Sequence, residues 1–199
     1  MIQTKDIFKK YQAQTFPNPS CIEVDSAQGS YIKDIYGKRY LDFTAGVSAC
    51  TLGHSNPVLI TAIKKQLEKY THVMVYGEYI QSSQYKLAKL LADNLPKNLS
   101  TTYFTNSGTE AIEGAMKLAK RATGRSEIIT CKGSYHGSTQ GALSIMGDEH
   151  YKSKYRPLLP NCNLVPVNSS LVIHSDTPVF SSGLKISSTN SSFVLFVLF

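Results

Sequence analysis

The chain has 199 residues, of which 42% are hydrophobic and 18% are charged, proportions typical of a globular domain rather than of a disordered segment. The net charge is +7, but lysines and arginines are spread along the chain without a dense basic run, so nucleic-acid binding is not expected. The opening MIQTKDIFKKYQ lacks the apolar core of a secretory signal. No apolar stretch approaches the roughly 20 residues that span a bilayer, so no membrane association is expected either.

Four cysteines are scattered along the chain: Cys21, Cys50, Cys131 and Cys162. They form no C-x-x-C pair and no zinc-ligand spacing, so no metal site is predicted. Without a signal peptide, this pattern favours a reducing compartment, and we expect a cytoplasmic protein.

The first part of the chain has strands and turns followed by helices. Residues 21–43 alternate short apolar runs with turns at Gln28-Gly29 and Tyr36-Gly37, which predicts an antiparallel meander. A helix is predicted to begin near Ser55-Asn56-Pro57, with a polar cap and proline at its first position. A second helix is predicted over about 79–95, where Pro96 helps to end it.

A strand, a helix and a second strand follow in the order typical of α/β domains. The strand Thr101–Thr105 leads through a sharp turn into a helical run from Thr109 to about Thr123, and Glu127–Cys131 is the next strand. This βαβ order predicts a parallel sheet. Beyond about residue 168 the composition changes, because residues 169–199 contain nine serines and only two charged side chains.

The segment Asn106–Glu113 (N-S-G-T-E-A-I-E) lies at the strand-to-helix junction. A helix N-terminus offers unpaired N–H groups and the positive end of the helix dipole, and both favour phosphate. Gly108 allows close approach of an anion, while Ser107 and Thr109 add hydroxyl groups. The alternative is that Ser107 and Glu110 form a capping box and nothing more.

A second candidate segment is Gly133–Thr139 (G-S-Y-H-G-S-T), in the loop after the next strand. An aromatic ring followed by His-Gly at the carboxyl edge of a parallel sheet can stack on a flat heterocycle. The alternative is a tyrosine and a histidine packed within a loop.

A third candidate segment runs from Asp42 to Gly46 and on to Leu52–Pro57. His54 is better explained as a structural residue before the helix than as a catalytic one. Tyr76 either faces a ligand or a partner subunit, or is a half-buried core tyrosine.

Together and in this order, the segments resemble the class III aminotransferases, a fold-type-I group dependent on pyridoxal 5′-phosphate (PLP). The resemblance covers about residues 3–168 and includes D-F-T-A-G, L-G-H-S-N-P, N-S-G-T-E-A-I-E-G-A-M-K-L-A, S-Y-H-G-S and Y-R-P-L-L-P. It implies an incomplete α/β fold: an N-terminal segment with the meander over 1–50, and the first βαβ units of the large PLP-binding domain over 51–168. Residues 169–199 are left as an unmatched tail, which we interpret as a truncation or frameshift.

The resemblance also implies roles for individual residues. Ser107, Gly108 and Thr109 would hold the cofactor phosphate, and Tyr135 would stack on the pyridine ring with His136 and Gly137 shaping that face. The residues expected near the substrate are Gly46, Val47, Ser48 and Tyr76.

The activity implied by the resemblance is transfer of an amino group from an amino acid or ω-amine to a 2-oxo acid, in a homodimer. The lysine that forms the Schiff base and the aspartate that pairs with the pyridinium nitrogen are not matched, and Lys185 stands in an unrelated context. We therefore assign no catalytic residue and expect the isolated chain to be inactive. Ser138 follows Tyr-His-Gly, where the acetylornithine and ornithine branch usually has an arginine, so other ω-amino donors remain open.

Two alternatives remain at this stage. The same fold also carries out aminomutase and decarboxylase reactions, and the groups that choose between them lie largely downstream. The other alternative is a non-catalytic fragment that binds phosphate-bearing ligands, or nothing.

Overall fold

The structure is a computed structural model that describes residues 4–167 and, for the backbone alone, residues 179–180 and 194–198. The remainder of the tail predicted for 169–199 lies outside the described residues. The chain divides into two units, Met1–Tyr79 and Ile80–Phe199, and each is described by itself. Within the described part of the chain, no helix combines the length and apolar character needed to cross a membrane.

The first unit contains the predicted meander. Its elements in chain order are α1 (Thr4–Tyr11), β1 (Val24–Gln28), β2 (Tyr31–Asp34), β3 (Arg39–Leu41) and α2 (Pro57–Leu67). The three strands form an antiparallel sheet in the order β1-β2-β3, with Ile32 paired with Ala27 on one side and Tyr40 on the other. The meander is confirmed, whereas α1 was not predicted.

A buried carboxylate closes the turn between β2 and β3. Asp34 is only 7% exposed, and its Oδ1 accepts hydrogen bonds from the backbone N–H groups of Tyr36 at 3.0 Å and Lys38 at 2.9 Å. Its Oδ2 accepts the Tyr40 hydroxyl at 2.9 Å. Burial raises the pKa of Asp34, but these hydrogen bonds outweigh it, and the net pKa is below the ordinary value.

Helix α2 begins where the sequence predicted. The Asn56 side chain caps it by accepting hydrogen bonds from the N–H groups of Val58 at 3.0 Å and Leu59 at 3.4 Å. Pro57 stands at the first helical position, where its missing N–H has no helical partner to lose.

The second unit is an α/β arrangement of parallel strands and helices. Its helices are α3 (Ser82–Asn94), α4 (Gly108–Thr123), α5 (Gln140–Ser144) and α6 (Glu149–Lys152), with a 3₁₀ turn at Ser153–Tyr155. Its strands are β4 (Thr101–Thr105), β5 (Ile128–Cys131), β6 (Cys162–Val165), β7 (Val179–Phe180) and β8 (Val194–Leu198).

Parallel pairing is confirmed, but the strands of the predicted βαβ unit are not neighbours. Strand β5 lies between β6 and β7, and β4 pairs with β8. Because both edges of β5 are occupied, β4 cannot pair with it. The helix between them, α4, therefore joins strands of two separate ladders.

The core of this unit lies between α4 and β5. Ala115, Met116 and Ala119 of α4 are buried against Ile128, which is fully buried, and Ile145. Alanines on this face let the helix approach the strand closely. Gly124 ends the helix in a left-handed conformation with φ of 70°.

The substitution Asp34→Asn should lower the melting temperature at pH 7. It should also make the melting temperature decrease less on acidification than it does in the parent protein. The folded pKa of Asp34 lies below its unfolded value of about 3.9, so its stabilisation is present above that pH and is lost as the pH falls through the folded pKa. Circular-dichroism melting between pH 7 and pH 3 measures both effects.

Asp25→Asn is the control, because Asp25 lies in the same meander and pairs with Lys33 at a site where both side chains are 47% exposed. Its effect should be smaller, since exposed ion pairs contribute little. Equal effects of the two substitutions would contradict the role given to Asp34.

Candidate functional site

The junction of β4 and α4 is a capped helix N-terminus. The Ser107 Oγ accepts the Glu110 N–H at 3.2 Å, and the Glu110 carboxylate reaches back to accept the Asn106 N–H at 2.8 Å. The capping interaction considered from the sequence is therefore present, although the returning bond ends on Asn106 rather than on Ser107.

The cap leaves donors at the tip of α4. Within residues 4–167, the backbone N–H groups of Gly108 and Thr109 make no hydrogen bond. They lie at the positive end of a helix 16 residues long. Ser107 Oγ uses a lone pair in the cap, so its hydroxyl proton remains available to an acceptor. This arrangement can accept an anion.

The loop after β5 lies directly against this tip. Gly137 is buried with φ of +120°, and a Cβ there would stand 2.9 Å from the Thr109 Cα and closer still to the Thr109 side chain. No other residue fits, because of both the conformation and the space. The structure thus brings together two of the predicted segments, Ser107–Thr109 and Tyr135–Gly137.

Tyr135 and His136 have different environments within the loop. Tyr135 is 69% exposed, and its hydroxyl lies 3.4 Å from the Ser138 Oγ. His136 is half-buried, with Nε2 at 2.9 Å from the hydroxyl of the fully buried Thr130. Burial lowers the pKa of His136. The loop-packing alternative therefore describes His136, whereas the Tyr135 ring is exposed to solvent; stacking of that ring on a cofactor stays a prediction.

Two further residues, not singled out from the sequence, connect the loop to the helix. Glu113 accepts a hydrogen bond from the Thr139 hydroxyl at 2.6 Å, and Thr139 Oγ1 lies 2.6 Å from Thr109 Oγ1. Glu113 is four residues after Thr109, so both lie on one face of α4. That spacing could have indicated Glu113, but its partner Thr139 is 26 residues away.

Asp42 and His54 form a pair in the first unit. His54 Nε2 and Asp42 Oδ2 are 2.7 Å apart, with both side chains largely buried. The hydrogen bond with His54 lowers the pKa of Asp42, and the N–H group of Ala45 adds to the effect. The His54 backbone also pairs with Gly29 in both directions. These bonds support a structural role for His54.

The substrate-side candidates also belong to the first unit. Gly46, Val47 and Ser48 have φ of 61°, 57° and 65°, and with Ala45 at 46° they form one left-handed turn over Ala45–Ser48. Tyr76 is 88% exposed, so the alternative of a half-buried core tyrosine is wrong. Their position near a substrate stays a prediction.

The cysteines are all free thiols. Across the part of the chain that the structure describes, no group of three or more His, Cys, Asp or Glu side chains is placed to hold a metal ion.

In comparisons with known proteins, the chain is similar to aminotransferases. The family model described as aminotransferase class-III matches residues 11–186. The acetylornithine aminotransferase of Bacillus cereus is 37% identical over 165 residues, 83% of this chain and 40% of the relative. That of Archaeoglobus fulgidus is 35% identical over 161 residues, 81% of this chain and 42% of the relative.

Solved structures give the same result. The adenosylmethionine-8-amino-7-oxononanoate aminotransferase of Methanocaldococcus jannaschii matches with a TM-score of 0.72 and 30% identity, over 81% of this chain and 40% of that one. The taurine:2-oxoglutarate aminotransferase of Bifidobacterium kashiwanohense, in complex with PLP and glutamate, matches with a TM-score of 0.71 and 29% identity, over 80% and 36%. The chain spans about two fifths of the length of the curated relatives described above, at 40% and 42%.

Gly137→Ala should displace the loop from α4 and destabilise the second unit by about 2–4 kcal/mol, because strain at positive φ adds to the clash with Thr109. Urea unfolding followed by circular dichroism measures the loss. Gly133→Ala is the matched control, since Gly133 has φ of +77° and open space around it. It should cost only about 1 kcal/mol. Equal losses would show that the close approach to Thr109 is unimportant.

The pKa of His136 predicts a second pH window for stability. Because burial holds the folded pKa below the unfolded value of about 6.5, the neutral ring contributes stability above that pH and loses it as the pH falls through the folded pKa. Melting temperatures measured between about pH 7.5 and about pH 5, a range that spans the ordinary pKa of histidine, should fall less in His136→Gln than in the parent. If the melting temperatures of the two proteins fell in parallel with pH, the buried neutral ring of His136 would not be the cause of the loss.

Proposed function

Because this chain belongs to the class-III aminotransferase family, we propose that it contributes two parts of a PLP site. Ser107–Thr109 would hold the phosphate and are called the phosphate cradle below. Tyr135–Gly137 would cover one face of the pyridine ring. The observation that carries the proposal is the meeting of Ser107–Thr109 with the Tyr135–Gly137 loop at the tip of α4. Family membership rests on residues 11–186, which include both segments.

The residues present fit the phosphate of the cofactor. The N–H groups of Gly108 and Thr109 have no partner among the described residues and would donate to the anion, and the Ser107 hydroxyl proton is available beside them. The acidic side chains nearby do not compete, because the Glu110 carboxylate is turned back to the Asn106 N–H. A phosphate at a helix tip is stabilised by these donors together with the helix dipole.

The residues also fit one face of the pyridine ring. Tyr135 presents an exposed aromatic ring in the loop that packs on the phosphate cradle. The next residue, His136, is held by its hydrogen bond with Thr130, and Gly137 lets the loop approach α4. When bound, the cofactor supplies the electron sink for amino-group transfer. We assign no catalytic residue to this chain, since neither the lysine nor the aspartate of the resemblance is matched in it.

The reaction proposed for the whole protein is amino-group transfer between an amino acid or ω-amine and a 2-oxo acid. All the relatives described above are named as aminotransferases, which favours this reaction over an aminomutase or a decarboxylase. We further propose a cytoplasmic homodimer, with Gly46, Val47, Ser48 and Tyr76 on the substrate side.

Two observations bear on the amino donor. Two of the relatives are acetylornithine aminotransferases. Ser138, however, follows Tyr-His-Gly in place of the expected arginine, and its hydroxyl lies near that of Tyr135. A serine offers no positive charge to a substrate carboxylate. We therefore retain ω-amino donors more generally as the substrate class.

The phosphate cradle is tested with pyridoxamine 5′-phosphate, which has no aldehyde and cannot react with surface lysines. Isothermal titration of the 199-residue chain should show binding, and pyridoxamine without the phosphate should bind at least roughly tenfold more weakly, since charge-assisted hydrogen bonds are lost. No binding of either compound would favour the alternative of a fragment that binds nothing.

Ser107→Asp sharpens the test, because aspartate caps helices as well as serine but places a negative charge beside the phosphate. Its melting temperature should stay near that of the parent, while its affinity for pyridoxamine 5′-phosphate should fall by at least roughly tenfold. The control is Ser100→Ala, at an exposed serine before β4. Unchanged affinity in Ser107→Asp would place the phosphate elsewhere.

A further inference from the structure

Glu113 joins two elements that the candidate site depends on. Its Oε1 accepts hydrogen bonds from the Thr139 hydroxyl at 2.6 Å, the Gly141 N–H at 2.8 Å and the Ala142 N–H at 3.2 Å. Gly141 and Ala142 are buried at the start of α5. A single carboxylate on α4 therefore caps α5 and holds the last residue of the loop before it.

The direction of the hydrogen bonds follows from the number of protons. An ionised carboxylate only accepts, so the single hydroxyl proton of Thr139 is directed to Glu113. Thr139 Oγ1 must then act as acceptor toward Thr109 Oγ1 at 2.6 Å, which makes Thr109 the donor. Thr109 Oγ1 accepts in turn from the Thr139 N–H at 3.3 Å.

The Thr109 hydroxyl proton is therefore committed away from the tip of α4. Toward an anion, this hydroxyl could present only lone pairs, which repel phosphate oxygens. The sequence suggested that Thr109 adds a hydroxyl donor to the phosphate site, and the hydrogen-bond chain from Thr109 through Thr139 to Glu113 speaks against that contribution.

We infer that Glu113 and Thr139 are positioning residues. Their hydrogen bonds to each other and to the Thr109 side chain, called the tie below, hold the Tyr135 loop against α4. A bound phosphate then takes its donors from Ser107 and the backbone N–H groups of α4. This inference rests on the proposed function, because the tie matters for activity only if a cofactor phosphate binds at that tip.

The opposite end of α5 is also held by hydrogen bonds from a buried side chain. Lys152 is 5% exposed, and its Nζ donates to the carbonyl oxygens of Met146 at 2.9 Å and Ser144 at 3.5 Å. A cation at the end of a helix also complements its dipole. Between these anchors α5 is buried, so the loop that precedes it has a fixed point of attachment.

A double-mutant cycle with Thr109→Val and Thr139→Val separates a tie from a phosphate ligand. Each substitution removes one hydroxyl at nearly constant volume. If Thr109 is a tie, both variants lose the same hydrogen bond. Each should then raise the dissociation constant of pyridoxamine 5′-phosphate by roughly threefold to tenfold. The loss in the double variant should be smaller than the two single losses added together, because the shared bond between Thr109 and Thr139 is removed only once. Additive losses, with Thr109→Val the more severe, would overturn the inference.

The phosphorus-31 NMR shift of the bound ligand gives a readout that general destabilisation does not move. Thr109→Val should leave the bound shift at the parent value, because the phosphate keeps all its donors. Ser107→Asp provides the contrast, since it alters a group beside the phosphate. A displaced shift in Thr109→Val would show direct contact with that hydroxyl.

Hydrogen exchange tests the tie without any ligand. The amides of Gly141 and Ala142 should exchange at least roughly tenfold faster in Glu113→Ala, while Glu113→Gln, which keeps an acceptor oxygen, should restore much of the protection. Unchanged exchange in Glu113→Ala would overturn the inference. If the parent chain binds no pyridoxamine 5′-phosphate, the proposed function fails, and the exchange result still decides whether the tie exists.

Discussion

The close approach of α4 to β5 is the constraint on which the candidate site depends. Ala115 and Ala119 face the fully buried Ile128, and a larger side chain at either position would push the helix outward. The axis of α4 determines where its first N–H groups point. It also determines whether the Glu113 carboxylate reaches the start of α5. The core packing, the proposed phosphate cradle and the attachment of the loop thus all depend on the position of one helix.

The tip of α4 carries acidic side chains beside a proposed anion site, and hydrogen bonding resolves this conflict. Glu110 is turned to Asn106, and Glu113 is turned to the N-terminus of α5. Each carboxylate satisfies N–H groups that would otherwise lack partners. What remains at the tip are the donors of Gly108 and Thr109. Anion binding at the proposed site would therefore depend on which donors are already satisfied, rather than on an added positive charge.

Features with local causes were predictable from the sequence. Three kinds of feature depend only on neighbouring residues: the helix caps at Asn56 and Ser107, the turn near Gly37, and the strands on either side of α4. Helix α1 and strand β6 are short and lack such signals, and both were missed. The pairing of β4 with β8 rather than β5 depends on chain that follows much later, so strand order could not be predicted from a βαβ pattern alone.

The candidate site was predictable in its parts but not in its connections. Ser107–Thr109 and Tyr135–Gly137 were recognised as motifs, and the structure brings them together. The bond between Thr139 and Glu113 joins residues 26 apart, which no local period indicates. The left-handed turn at Ala45–Ser48 could not be predicted from the sequence either, because only one of its four residues is glycine. Long-range contacts and unusual backbone are the features that tertiary structure decides.

The contact between Gly141 and Glu113 has a consequence for the evolution of this sequence. A Cβ at position 141 would stand 2.7 Å from the Glu113 Cδ and overlap its carboxylate. A side chain at 141 would push the flexible Glu113 carboxylate out of its present place, so the cap on α5 would be lost unless another group supplied it. A chain that keeps this cap therefore keeps glycine at 141. The two positions should covary among homologous chains, as a pair separated by 28 residues and inherited as one unit.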